Sequence, residues 1–137
     1  MNKLILFFTF LIGSFTVKAQ TIYYWVGGTT GGGNTFYTGS NWNTNINGTG
    51  TTRPTPTAAT TDVLIIDGTN IGGTTPTTGT VTVRVSGSSS LLTCNQLKIV
   101  NNANVILQRT TAGTSTMTLN GDAGDDFVVD ATSNLTL

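Results

Sequence analysis

Leu97-Lys98-Ile99-Val100-Asn101-Asn102-Ala103-Asn104-Val105-Ile106-Leu107 returns thirty residues later as Phe127-Val128-Val129-Asp130-Ala131-Thr132-Ser133-Asn134-Leu135-Thr136-Leu137. Apolar residues match at both ends, small residues match in the middle, and Asn104 aligns with Asn134. Met117-Thr118-Leu119 falls between the two copies, so a strand start is expected roughly every ten residues, at Leu97, Leu107, Met117, Phe127 and Leu137. Short strands at even spacing, separated by Asn, Gly and Thr turns, are what a parallel β-solenoid needs, because one coil cannot bury its inward side chains until the next stacks on it. Asn suits the corners, since it tolerates left-handed backbone and its side chain bonds a neighbouring turn. The predicted fold is therefore all-β, a right-handed parallel β-solenoid over residues 62–137, with an antiparallel β-sandwich as the alternative that similar spacing allows.

Upstream of the repeat the period is still that of strands. Val63-Leu64-Ile65-Ile66 is a continuous apolar run between Asp62 and Asp67-Gly68, which suits a strand covered on both faces. Val81, Val83 and Val85 alternate with Thr82 and Arg84, placing the valines on one face. From Gln20 to Asn43 aromatics alternate with Gly, Thr and Asn, a pattern of short strands joined by glycine turns that reads as an N-terminal cap. Residues 44–61, with Arg53-Pro54-Thr55-Pro56, have no apolar period and read as a connector.

The first nineteen residues belong to a different class of segment. Lys3, an apolar stretch from Leu4 to Ile12, and Val17-Lys18-Ala19 follow the layout of a cleavable signal peptide, so the mature chain is expected to begin near Gln20. The apolar core is shorter than the ~20 residues needed to span a bilayer, and no membrane span is expected in the mature chain. Export to the extracellular space or the outer cell surface follows. Removing the leader takes Lys3 and Lys18 from six basic residues and none of the six Asp, leaving a net charge of −2. Such a chain has no electrostatic footprint for nucleic acid. The pattern breaks off at Leu135-Thr136-Leu137, so the coils are read as truncated at the C-terminus.

The sequence contains no His and no Glu, which removes the commonest general base, the commonest zinc ligand and every Ser-His or Cys-His nucleophile pair. Catalysis would have to rest on Asp, and a glycosidase needs two carboxylates roughly 5 to 9.5 Å apart. Asp62 and Asp67 are an odd number of residues apart and point to opposite faces of a continuous strand. Asp126 and Asp130 share a face but lie roughly 13 Å apart along it. No catalytic residue and no cofactor site is assigned. Asn120-Gly121-Asp122-Ala123-Gly124-Asp125-Asp126-Phe127-Val128 approaches the calcium-binding nonapeptide of repeat proteins, which makes Asp122, Asp125 and Asp126 the calcium candidates, with an acidic turn as the plainer reading. Tyr24, Trp25, Tyr37 and Trp42 are candidates for stacking on sugars, against a role as packing in the cap. Cys94, the single cysteine, is expected as a buried apolar residue rather than a reactive thiol.

Six blocks occur in order: Tyr23-Tyr24-Trp25-Val26-Gly27-Gly28, Asn41-Trp42, Pro56-Thr57, Asp62-Val63-Leu64-Ile65-Ile66-Asp67, Gly79-Thr80-Val81-Thr82-Val83 and Cys94-Asn95-Gln96-Leu97. Together they resemble the N-terminal region of large cell-surface proteins secreted by Bacteroidetes, over roughly residues 22–100. The resemblance implies a long protein with β-helical or immunoglobulin-like repeats, exported by the type IX system through a C-terminal sorting domain that these residues do not contain. The chain departs from the pattern in its longer Thr30-Gly31-Gly32-Gly33-Asn34-Thr35-Phe36 segment. The expected function is a structural or adhesin-like surface protein whose partners are glycans or other surface proteins. The alternatives are the N-terminal part of a polysaccharide-acting β-helix enzyme and a carbohydrate-binding module.

Overall fold

The computed structural model describes residues 20–29, 34–54, 61–85, 93–109, 113–121 and 124–137. The signal segment lies outside them. The described residues are all-β apart from one 3₁₀ turn, Gly39–Asn41. The strands are β1 (Ile22–Trp25), β2 (Trp42–Asn43), β3 (Val63–Asp67), β4 (Thr80–Arg84), β5 (Thr93–Cys94), β6 (Gln96–Val100), β7 (Asn104–Gln108), β8 (Thr118–Leu119), β9 (Phe127–Val129) and β10 (Asn134–Thr136).

Three sheets form, ordered β2-β1-β3-β6-β9, β10-β7-β4 and β5-β8. Every ladder between these strands is parallel except β1 with β2. The register of the ladders coincides with the register of the sequence repeat. Leu97 pairs with Phe127 and Asn104 with Asn134. One step upstream, Leu64 pairs with Leu97 and Val81 with Val105.

The apolar positions consequently fall into columns that run from strand to strand. Leu64, Leu97 and Phe127 form one, Ile66, Ile99 and Val129 a second, and Val81, Val105 and Leu135 a third. These columns, with Trp25, Phe36, Trp42, Ile71, Val83 and Cys94, are the core. β4 alternates as expected, with Val81 and Val83 buried and Thr82 and Arg84 half-exposed. β3 is covered on nearly its whole surface, with only Ile65 half-exposed, which accounts for its unbroken apolar run.

One reading of the sequence is corrected by local geometry. The strand starts are not evenly spaced: Leu107 lies near the end of β7 and Leu137 follows β10. The cause is a tight corner at Asn101 and Asn102, both in left-handed backbone (φ 59° and 62°), which joins β6 to β7 in three residues. The link from β7 to β8 is longer. The segment read as a connector also contributes to the core, because Arg53 has no exposed side-chain surface. Residues 44–51 are ordered around Asn43. Its amide oxygen accepts from the backbone N–H groups of Asn45 and Gly50 (2.9 Å each), and its amide nitrogen donates to the Gly48 and Gly50 carbonyls.

Candidate functional site

The aromatic segment packs as a wall. Trp25 and Trp42 meet edge to face with centroids 5.1 Å apart, and Phe36 meets Trp42 the same way at 5.5 Å. Both indole N–H groups are satisfied within the segment, Trp25 on the Gly28 carbonyl (3.0 Å) and Trp42 on the Phe36 carbonyl (2.7 Å). A buried tryptophan with its single donor occupied and both faces covered has nothing to offer a sugar. Trp25 and Trp42 are fully buried, which withdraws them as stacking residues. Tyr24 and Tyr37 are half-buried and keep part of their rings at the surface.

The same segment closes one end of the strand stack. β1 occupies the outer edge of β3. Along β4, Thr82 N–H donates to the Thr29 carbonyl, Arg84 N–H to the Asn34 carbonyl, and Phe36 N–H to the Arg84 carbonyl. Backbone groups of β3 and of the edge strand β4 are thereby paired with the aromatic segment.

Two polar clusters tie the stack together, one inside it and one at its surface. In the first, Arg53 Nε donates to Asp62 Oδ2 at 2.7 Å, with the arginine side chain fully buried and the aspartate nearly so. The Asp62 carbonyl accepts from the N–H groups of Asn95 and Gln96, which ties the pair to the start of β6. Arg53 Nη1 and Nη2 find no hydrogen-bond partner among the described residues. Tyr23 and Cys94 feel this pair. Burial pushes the Tyr23 hydroxyl up, reinforced by the Asp62 charge and opposed by Arg53. Burial also pushes the Cys94 thiol up to about 12, with Arg53 opposing and Asp62 reinforcing. A thiol so poised stays protonated at neutral pH and is a poor nucleophile.

The second cluster is a corner stack. Asp67 Oδ1 accepts from the backbone N–H and hydroxyl of Thr69, while Asp67 Oδ2 accepts from Asn101 Nδ2 at 2.8 Å. Asn101 N–H donates to Asp130 Oδ2 at 2.6 Å, and Asp130 Oδ1 accepts from the N–H and hydroxyl of Thr132. Asp67-Gly68-Thr69 and Asp130-Ala131-Thr132 are thus the same Asx turn with Asn101 between them. A side chain at Gly68 would collide with the backbone of Asn101 to Ala103, so only glycine lets the corners lie this close. The backbone N–H of Asn101 is the largest of the interactions that hold Asp130 down to about 2, with the Ser133 and Thr132 bonds adding to it. The sequence reading anticipated left-handed asparagine corners that bond a neighbouring turn, as Asn101 does, but not the aspartate turns on either side of it. Their signal was the shared Asp-x-Thr spacing at positions 67 and 130.

Of the calcium candidates, Asp122 lies outside the described residues. Asp125 is exposed, and the Asp126 carboxylate folds over Gly121 where a side chain would otherwise stand. Among the described residues no three His, Cys, Asp or Glu side chains converge on a point that could hold a metal ion, and no helix is long and apolar enough to cross a membrane.

A further feature is an apolar cavity of about 480 Å³ lined by Val85, Leu107, Met117, Leu119, Phe127, Leu135 and their neighbours. Comparison with known protein families, curated proteins and solved structures finds no match to this chain.

Proposed function

We propose that the chain is an exported surface scaffold, structural or adhesin-like, built as a right-handed parallel β-solenoid. Residues 20–43 cap its first coil, and residues 62–137 supply the coils. The single observation that carries this reading is the coincidence of the sequence repeat with the parallel ladders. A thirty-residue period that pairs Leu97 with Phe127 and Asn104 with Asn134 gives these two coils the same inward columns. An antiparallel sandwich has no such reason to keep a sequence period in register from strand to strand.

Export is supported by the n, h and c layout of residues 1–19, and surface display by the likeness of the six ordered blocks to secreted Bacteroidetes surface proteins. The absence of His and Glu from the sequence, together with the engagement of Asp62, Asp67 and Asp130 in structural bonds, favours a scaffold over an enzyme. Outward threonines and asparagines, with the half-buried Tyr24 and Tyr37, form the surface on which glycans or other surface proteins would dock.

Expression of the full chain in a secreting bacterium, followed by mass spectrometry of the N-terminus and protease shaving of intact cells, tests the reading. A mature N-terminus at or beside Gln20 and loss of the protein from shaved cells are expected. A chain that keeps residues 1–19 and stays in the cytoplasm contradicts export.

A further inference from the structure

Each apolar column is buried at its first two positions and open at its third. Leu64 and Leu97 are fully buried, whereas Phe127 is 44% exposed, and Ile66 and Ile99 are fully buried, whereas Val129 is 37% exposed. Val81 and Val105 are likewise buried, while Leu135 is half-buried. Phe127 and Leu135 line the 480 Å³ cavity with Leu107, Met117 and Leu119.

The backbone is unsaturated on the same side. Leu97 N–H donates to the Asp126 carbonyl and Asp130 N–H to the Ile99 carbonyl, so by the alternation of a ladder the backbone groups of Phe127 and Val129 face away from β6. Asn134 N–H donates to the Ala103 carbonyl, which turns the groups of Leu135 away from β7. Arg109 Nε and Nη1 and Ser115 Oγ, which line the same cavity, are buried without a hydrogen-bond partner among the described residues.

We infer that this end is a docking face for one kind of occupant, a coil-forming polypeptide segment with the same thirty-residue period, entering in parallel register. The inference continues the interface by which each coil covers the one before. The occupant must bring apolar residues at alternate positions over Phe127, Val129 and Leu135, a free strand edge for β8, β9 and β10, and backbone carbonyls for the Arg109 guanidinium and the Ser115 hydroxyl. A second copy stacked head to tail cannot meet these demands, because its own first coil is already covered by β1 and by the backbone of Thr29, Asn34 and Phe36. The inference rests on the coil stacking proposed above and not on export.

Appending a second copy of residues 108–137 after Leu137 continues the repeat without a break in register. Amide hydrogen exchange at Phe127, Val129 and Leu135 is then compared with that of the 137-residue chain and of an extension whose apolar strand residues are all serine. Exchange slowed by about tenfold or more in the apolar extension alone, with both proteins monomeric, is expected. Equal exchange in all three chains overturns the inference. So does finding these amides already protected in a concentration-dependent dimer of the unextended chain, since the occupant is then a second copy meeting it tail to tail. Either failure leaves a correctly processed, exported protein standing.

Discussion

Arg53 and Asp130 carry the sharpest predictions at the scale of single residues. Arg53 is a buried cation on a single carboxylate, and removing it strands Asp62 without its counter-charge. Arg53→Met is expected to cost about 3–5 kcal/mol in urea unfolding, because an uncompensated buried charge is dearer than the pair was worth. Arg53→Met combined with Asp62→Leu should recover most of that loss. A single variant within 1 kcal/mol of the parent, on the order of a surface pair, shows that the pair is not buried in solution. Asp130 behaves in the opposite sense, at the surface and through backbone donors. Its carboxyl falls from the ordinary 3.8 to about 2 in the folded chain. The folded state therefore binds its proton less readily than the unfolded state. The stabilisation is complete above pH 4 and is lost as pH falls from about 4 towards about 2. Carbon-detected NMR titration should show Asp130 still ionised at pH 3, and Asp130→Asn should flatten that part of the stability profile. An Asp130 that titrates near 3.8 contradicts the corner geometry.

Elements are set by their corners as much as by their strands, and the corner at Asn101 separates two causes that usually act together. Asn101 supplies left-handed backbone and also a side-chain bond to Asp67. Asn101→Gly keeps the first and loses the second, while Asn101→Ala loses both. Alanine is expected to be less stable than glycine here by about 1–2 kcal/mol, the cost of a left-handed L-residue. Equal stabilities by chemical unfolding contradict the assigned backbone. This corner also shows what the sequence concealed. The alternation of Val81 and Val83 and the thirty-residue period were legible because burial on one face imposes a period of two along a strand and repetition imposes a longer one. The strand ends were not legible. Asn101-Asn102 can turn within two residues or sit in a longer loop, and only the approach of Gly68 and Asp130 from neighbouring corners selects the tight turn. Arg53 was hidden for a similar reason, since no local period marks a lone cation buried by a partner nine residues away.

Across the whole molecule the two ends of the stack differ. At one end Trp25, Phe36 and Trp42 close the core and pair the strand edges. At the other, Phe127 and Leu135 line a cavity and Val129 is exposed. Tryptophans that composition alone allows to be either sugar platform or packing resolve to packing once their rings and N–H groups are seen to be consumed by the wall. The central claim is the parallel register that stacks one repeat on the next, and disulfide trapping tests it most directly. Lys98 and Val128 are ladder partners on the outward face of β6 and β9, at a spacing of about 4.8 Å that suits a disulfide. In a Cys94→Ala background, Lys98→Cys with Val128→Cys should oxidise to an internal bond without loss of stability. Lys98→Cys with Val129→Cys should not, because one residue of slip turns the second side chain to the opposite face. Failure of the first pair, or equal oxidation of both, would contradict the parallel register.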